Sequence, residues 1–241
     1  MTLPTTGALN LSAFNTEFGR GDDIANYHGV KFYKASTSTL GTFNTGLLHF
    51  SDFYGTQNGI SINVTISSDT QNYVISPTNG SISPTYVAGF TTINVTINSG
   101  IYVGSSSTGT YALTVTGFSS GDTINIINNG VIIGAGGAGG SSSNGSNGSP
   151  GSAGGNALLL QYPTNITNNG TIAGGGGGGG AQNGGTTYGG CFGQTRQSYT
   201  GQGGGGGAGY TVGSGGSGSP NGNNGTRTSG DRKSTRLNSS H

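Results

Sequence analysis

A chain of 241 residues with 6% charged side chains, no Trp and a formal net charge of +1 holds one or two small domains, with a polar surface made by Ser, Thr, Asn and Gly. Its single cysteine, Cys191, excludes an intramolecular disulfide and leaves assembly in a reducing compartment and export equally open. No stretch approaches the roughly 18 consecutive apolar residues of a membrane span, and the start of the chain has neither the basic segment nor the apolar run of a secretion signal, so neither membrane insertion nor Sec export is expected.

Residues 1–57 hold most of the charge found before residue 231 and read as one small mixed segment. Leu11, Phe14 and Phe18 share a face at helical spacing, Asn10 or Ser12 can cap the start and Gly19 can end it, which predicts a short amphipathic helix. Gly7-Ala8-Leu9-Asn10-Leu11-Ser12-Ala13-Phe14 is echoed by Gly46-Leu47-Leu48-His49-Phe50-Ser51-Asp52-Phe53, and the echo predicts two matched docking elements. His28 and His49 read as surface or packing residues. Arg20-Gly21-Asp22 reads as a charged surface turn, although in an animal matrix protein it would be an integrin ligand.

From residue 58 to 122 the period changes to two. Ile60-Ser61-Ile62-Asn63-Val64-Thr65-Ile66 alternates without a fault, and Ile-Asn-Val-Thr-Ile occurs at Ile62 to Ile66 and again at Ile93 to Ile97. Further strands are expected at Tyr73 to Ile75, Ile101 to Val103 and Tyr111 to Thr116, divided by Asn79-Gly80, Asn98-Ser99-Gly100 and Ser119-Ser120-Gly121. A small β-sandwich or a stretch of solenoid fits this β spacer. Its Asn-x-Thr sequons are what an Asn/Thr-rich β protein produces by chance.

Residues 123–230 form the glycine-rich distal part. Of 53 glycines, 15 precede residue 130, leaving 53 − 15 = 38 for residues 130–230. A flexible linker is the simplest reading, because glycine buries no side chain and loses the most backbone entropy on folding. Against it, Ile124-Asn125-Ile126-Ile127-Asn128-Asn129-Gly130-Val131-Ile132-Ile133-Gly134 recurs as Thr164-Asn165-Ile166-Thr167-Asn168-Asn169-Gly170-Thr171-Ile172-Ala173-Gly174, 40 residues on. Between such strands, runs of glycine can form left-handed extended helices that approach closely enough to bond through their backbones, a polyglycine II sheaf. The run Gly174 to Gly180 would span about 22 Å at about 3.1 Å per residue. A side chain in the middle of that run, as in Gly177→Val, is expected to block the packing. The fold class is therefore mainly β: a short helical N-terminal segment, a small sandwich or solenoid, then the sheaf.

Val131-Ile132-Ile133-Gly134-Ala135-Gly136-Gly137-Ala138-Gly139 matches strand then G-x-G-x-x-G, but Gly140-Ser141-Ser142-Ser143 follows instead of a helix and no acid lies near position 155 to hold a ribose. Between Gln71 and Thr195 the only ionisable group besides tyrosines and Cys191 is Asp122, so no carboxylate pair, His-containing triad or metal cluster can be assembled there, and Cys191 has no nearby His. A depolymerase activity would need acids that this segment lacks. A binding or structural role is expected, with no cofactor and no catalytic or metal residue.

Asp231-Arg232-Lys233-Ser234-Thr235-Arg236-Leu237-Asn238-Ser239-Ser240-His241 resembles, residue for residue, the translation of a common short-read sequencing adapter. Without residues 231–241 the chain has 8 − 3 = 5 Lys/Arg against 7 − 1 = 6 Asp/Glu, so the basic tail is no argument for a nucleic-acid partner.

Two resemblances sharpen the function. Leu3-Pro4, Leu11-Ser12, Glu17-Phe18-Gly19 and Phe50-Ser51-Asp52-Phe53-Tyr54-Gly55 are similar to paired motifs near the start of many tailed-bacteriophage virion proteins. The combination of Asn128-Asn129-Gly130 and Asn168-Asn169-Gly170 with the runs Gly174 to Gly180 and Gly203 to Gly207 resembles the receptor-recognising adhesins at phage fibre tips. The resemblance implies a virion tail or fibre-tip protein assembled in the host cytoplasm, docked to other tail or fibre proteins through residues 1–57. Its distal loops would contact a bacterial outer-membrane protein or surface glycan. Tyr188, Phe192, Gln194, Arg196 and Tyr199 are the candidate receptor-binding residues, because they gather the contact area and directed hydrogen bonds on which interfaces depend. The alternatives are that Tyr188 and Tyr199 cap the sheaf as an apolar lid, or that the protein is a purely structural tail component with a stiff spacer. The oligomeric state stays open.

Overall fold

The computed structural model describes residues 2–83, 85–188 and 196–227. Cys191, Phe192, Gln194 and the adapter-like residues 231–241 lie outside them.

The N-terminal unit is an aromatic core wrapped by short elements. Helix α1 (Leu11–Phe18) starts where the Asn10 side chain accepts from Ala13 N at 2.8 Å and ends at Gly19, whose φ of +66° lets its N–H reach Asn15 O. Strands β1 (Lys31–Lys34), β2 (Thr39–Thr42) and β3 (Thr56–Gln57) make an antiparallel sheet in the order β2-β1-β3. Phe14 stacks on Phe53 at 4.0 Å between ring centroids, Phe43 on Phe53 at 4.2 Å, and Tyr27 meets Phe53 edge-on at 5.5 Å. The two echoed segments thus close on each other through their terminal phenylalanines. Each such burial is worth about 1.5–3 kcal/mol, enough to hold a unit with little regular structure. Arg20 and Asp22 are exposed in the turn around Gly21, to whose carbonyl the Tyr27 hydroxyl donates at 2.7 Å.

The next strands run β4 (Ile60–Ile66), β5 (Thr70–Gln71), β6 (Tyr73–Ile75), then β7 (Thr91–Ile97), β8 (Tyr102–Gly104), β9 (Leu113–Val115). They continue as β10 (Thr123–Asn128), β11 (Val131–Ile133), β12 (Leu158–Leu160) and finally β13 (Thr164–Asn168), β14 (Thr171–Ala173). Every pairing among them is parallel, in three sheets ordered β13-β10-β7-β4, β14-β11-β8-β5 and β12-β9-β6. Of the two architectures that alternation allowed, this is the solenoid: each of three turns lays one strand on each of three faces, β13 and β14 add a fourth layer to two of them, and a sandwich would need antiparallel ladders.

Register explains the repeats in the sequence. Ile62, Ile93 and Ile124 stack inside, as do Val64, Val95, Ile126 and Ile166, while Asn63, Asn94, Asn125 and Asn165 align outside. The inner aliphatics are buried except Ile166 on the last strand, which is half-buried, and the outer amides bond in a ladder, Asn94 to Asn63 at 3.0 Å, Asn125 to Asn94 at 2.9 Å and Asn165 to Asn125 at 3.0 Å. Since β10 pairs with β7 along its length, the sheet passes without a break between residues 122 and 123, where the spacer was expected to give way to the distal part.

The glycine-rich segments are insertions in this solenoid. Six extended stretches, residues 134–142, 149–157, 174–182, 201–209, 211–218 and 220–227, run side by side and are called here the first to sixth glycine helices. Their bonds advance by three residues: Gly136, Gly139 and Ser142 donate to Thr211, Ser214 and Ser217, and Ser149, Ser152 and Gly155 to Ser141, Ala138 and Ala135. Likewise Gly204, Gly207 and Tyr210 donate to Gly140, Gly137 and Gly134. That step is the three-residue turn of the polyglycine II helix, which makes all its bonds to neighbours. The β11/β14 ladder runs straight into it, since Gly134 donates to Ala173, Gly137 to Gly176 and Gly140 to Gly179.

Neighbour count sets where glycine is required. In the first and fourth helices, flanked on most sides, a Cβ at Gly136, Gly137, Gly204 or Gly207 would lie 1.9 to 2.1 Å from a backbone oxygen, and side chains are confined to Ala135, Ala138, Ser141 and Ser142 in the first and Gln202 and Ala208 in the fourth. The peripheral sixth helix needs glycine only at Gly222 and Gly225. The third helix, with the seven-glycine run, is also peripheral: a Cβ at Gly178 would meet Ala138 O at 2.0 Å, but one at exposed Gly177 meets nothing nearer than Ser152 O at 3.5 Å. The expected block at Gly177 is therefore wrong. The position faces solvent, and the obstruction lies one residue on.

Candidate receptor-binding face

Connectivity decides which loops reach the free end. The first and third helices leave the solenoid from β11 and β14, and the second returns to β12, so the connection through residues 143–148 lies at the far end. The fourth helix comes back antiparallel to the first, Tyr210 turns against the solenoid, and the fifth goes out again before Ser219 and Pro220 reverse the chain. Residues 143–148, 183–188, 196–200 and 219–220 are thus gathered about 28 Å from the solenoid, the length of nine residues at about 3.1 Å each. One side-chain bond and one backbone bond tie the first two together: Gly148 N donates to Asn183 Oδ1 and Gly184 N to the Ser146 carbonyl, both at 2.8 Å.

The longest connection forms an antiparallel hairpin of β15 (Gly185–Tyr188) and β16 (Arg196–Tyr199). Its register sets Tyr188 opposite Arg196, Thr187 opposite Gln197, and Tyr199 opposite Gly185 at the foot. The backbone therefore brings Tyr188 and Arg196 together and holds Tyr199 apart from them along the ladder. Phe192 and Gln194, in the same sequence stretch, lie outside the described residues. Reading the chain linearly missed the two short turns that join the hairpin at this end; their signal is that each interrupts the glycine pattern after about nine residues.

The chemistry of this end is neutral and polar. Among the described residues no group of three His, Cys, Asp or Glu side chains could hold a metal, and no helix is long and apolar enough to cross a membrane. Asp122 is spent on structure: its carboxylate accepts from the Tyr86 hydroxyl at 2.6 Å, Ser119 N at 2.9 Å and Thr91 N at 3.2 Å. Burial, and then the bond to Asp122, pushes the Tyr86 hydroxyl above its ordinary pKa. His28 is half-buried with Nδ1 2.7 Å from Asn44 O, and His49 is exposed beside the turn it helps to cap.

The family model of the phage tail fibre adhesin Gp38 matches residues 61–240. The chain belongs to this family. The match takes in the solenoid and the sheaf together, begins one residue into β4 and leaves the N-terminal unit of the adhesin outside it. It also runs through Asp231 to Ser240, the adapter-like stretch. The crystal structure of the gp37–gp38 adhesin tip complex of the bacteriophage S16 long tail fibre is similar to the adhesin at 19% sequence identity, with a TM-score of 0.41, covering 96% of this chain and 80% of that one. No curated protein matches the adhesin.

Proposed function

We propose that this adhesin recognises a bacterial outer-membrane protein or surface glycan through the far end of its sheaf, with Tyr188, Arg196 and Tyr199 of the hairpin, and Phe192 and Gln194 between them, as the principal contacts. One observation carries the proposal: three separate connections, including the only hairpin described in the glycine-rich part, converge on the end remote from the solenoid, where a bonded scaffold holds them out about 28 Å. Tyrosine and arginine on a rigid, glycine-rich support offer contact area at small entropic cost. The role is binding, and no catalytic step is assigned to any residue. Assembly takes place in the host cytoplasm and the working location is the virion.

Residues 1–57 serve as the attachment unit, residues 58–122 begin the solenoid spacer, and residues 123–230 carry the distal face. The attachment partner is the tail or fibre protein that carries the adhesin. Leu47 is 74% exposed and, with Phe32, Lys34, His49 and Asp52, lines a groove of about 560 Å³; Leu40 and Phe50 are each 44% exposed elsewhere on the same unit. Exposed apolar side chains set among charged ones suit a protein contact.

The test is competition. Purified adhesin should block adsorption of the phage that carries it, and the triple variant Tyr188→Ala, Arg196→Ala, Tyr199→Ala should lose that block with unchanged melting. If the variant melts early, the tyrosines form a lid. A stable variant that still blocks moves the recognition site elsewhere, and wild-type protein that never blocks favours the purely structural role.

A further inference from the structure

The outer face of the second sheet differs from that of the first. On the first, Asn63, Asn94, Asn125 and Asn165 run in a polar ladder. On the second, register lines up Tyr102, Val131 and Thr171 in one column, and Gly104, Ile133 and Ala173 in the next. The sheaf covers only part of this apolar face. Between the two lies a groove of about 440 Å³, floored by Val131 and Ile133 and walled on the sheaf side by Gly174, Gly176 and Ala208.

One end of the groove is closed by a fixed aromatic and charged wall. The Arg227 guanidinium carbon sits 4.9 Å from the Tyr102 ring centroid and 4.6 Å from that of Tyr210. Its Nη1 is 3.3 Å from Asp69 Oδ2, and Asp69 Oδ1 accepts from Tyr102 N at 2.9 Å. Tyr210 lies on Gly104, where a Cβ would be 1.9 Å from its Cγ, so the sequence keeps that position bare for the ring. Both Arg227 and Asp69 remain about two-fifths exposed.

From this wall and floor we infer that the groove is a second ligand site, independent of the hairpin, for an uncharged hexopyranose unit of a surface polysaccharide. A pyranose ring has an apolar C–H face, which suits the Val131, Ile133 and Tyr102 surfaces, and a rim of hydroxyls. The Arg227 guanidinium lines the groove and offers a donor to the ring hydroxyls, held in place from behind by Asp69, and the Thr171 hydroxyl stands at the opposite end. A charged ligand fits worse, because Asp69 already neutralises Arg227 against an anion and a cation opposes Arg227. The volume lies at the lower end of the roughly 300–1,000 Å³ range of small-ligand sites, suited to one sugar or a short segment.

Saturation-transfer NMR on the full chain with methyl glucopyranosides and methyl galactopyranosides tests this, with calorimetry for affinity. Binding with a Kd on the order of 1 mM is expected for at least one neutral glycoside. Arg227→Met, at an exposed position, should weaken it at least tenfold with unchanged melting. Ala208→Leu, which fills the groove, should abolish it, and because that change can also loosen the sheaf the Arg227 variant is the deciding one. The hairpin triple variant should bind the glycosides as wild type does, whatever becomes of adsorption. The inference is overturned by absence of binding at ten times that concentration, by binding that survives Arg227→Met, by loss in the hairpin variant, by preference for a uronate, or by binding of an aromatic peptide instead of the glycosides.

Discussion

The solenoid and the sheaf repeat at fixed intervals for opposite physical reasons. In the solenoid the side chains are the core: Ile93, Val95 and Ile97 are at most 1% exposed, and the backbone ladder follows from stacking them. In the sheaf the backbone is the core, and a side chain is admitted only where the neighbouring backbones leave room for it, as at buried Ala135 and Ser142. The difference teaches that burial does not require apolar residues: Gly136, Gly204 and Gly207 are buried with nothing to bury but amides. Each amide bond contributes only about 0.5–1.5 kcal/mol net, against glycine's larger loss of backbone freedom. A single unmade row is therefore costly to the whole sheaf.

The largest expected effect breaks that row. Gly207→Val puts a side chain where even a Cβ would be 1.9 Å from Gly176 O, and should destabilise the glycine-rich part by on the order of 3 kcal/mol or more, read as a lowered melting temperature and early proteolysis within residues 134–227. Gly177→Val is its control and should cost no more than about 1 kcal/mol. Ile93→Ala, in the middle of an inner stack, should cost about 2–5 kcal/mol in urea unfolding, and equal losses for Ile93→Ala and Gly207→Val in one cooperative transition would show the two regions unfolding as one. Asp122→Asn should cost about 1–3 kcal/mol, because the Tyr86 hydroxyl and two backbone donors lose their charged acceptor.

The pH dependence is smaller. Tyr86 has a folded pKa above the ordinary 10.0, so its contribution is fully present below about pH 10 and is lost as pH rises through the folded value. Tyr86→Phe should flatten that alkaline decline in urea midpoints. Leu47→Asp should leave stability nearly unchanged and lower only the incorporation of adhesin into virions, measured by immunoblot of purified particles.

Much of this was legible because parallel stacking writes itself as repetition. The pentapeptide shared by Ile62 to Ile66 and Ile93 to Ile97 is three columns of inner aliphatics with one of outer asparagines and one of threonines, and the 40-residue repeat is the pairing of β10 with β13 and of β11 with β14. The helix from Leu11 to Phe18 carries its own cap and stop. What could not be read was adjacency across the sheaf. Nothing local says that Gly177 faces solvent and Gly178 a carbonyl, because the answer depends on which helices came to lie beside them. The groove of Tyr102, Val131 and Arg227 joins residues over a hundred positions apart, and no spacing announces it. The Tyr188 to Tyr199 stretch was found by composition, and its backbone pairing by structure.

The seamless passage of the β11/β14 ladder into the glycine helices has a consequence for how such a molecule changes length. A helix that gains one or two residues rotates its bonded edge away from its neighbours, whereas a gain of three restores it. Reach is therefore quantised in increments of about 9 Å, and an increment survives only if adjoining helices take it together. Loop sequence at the far end carries no such constraint, so lineages of this adhesin should vary freely in what the tip says and only stepwise in how far it is held.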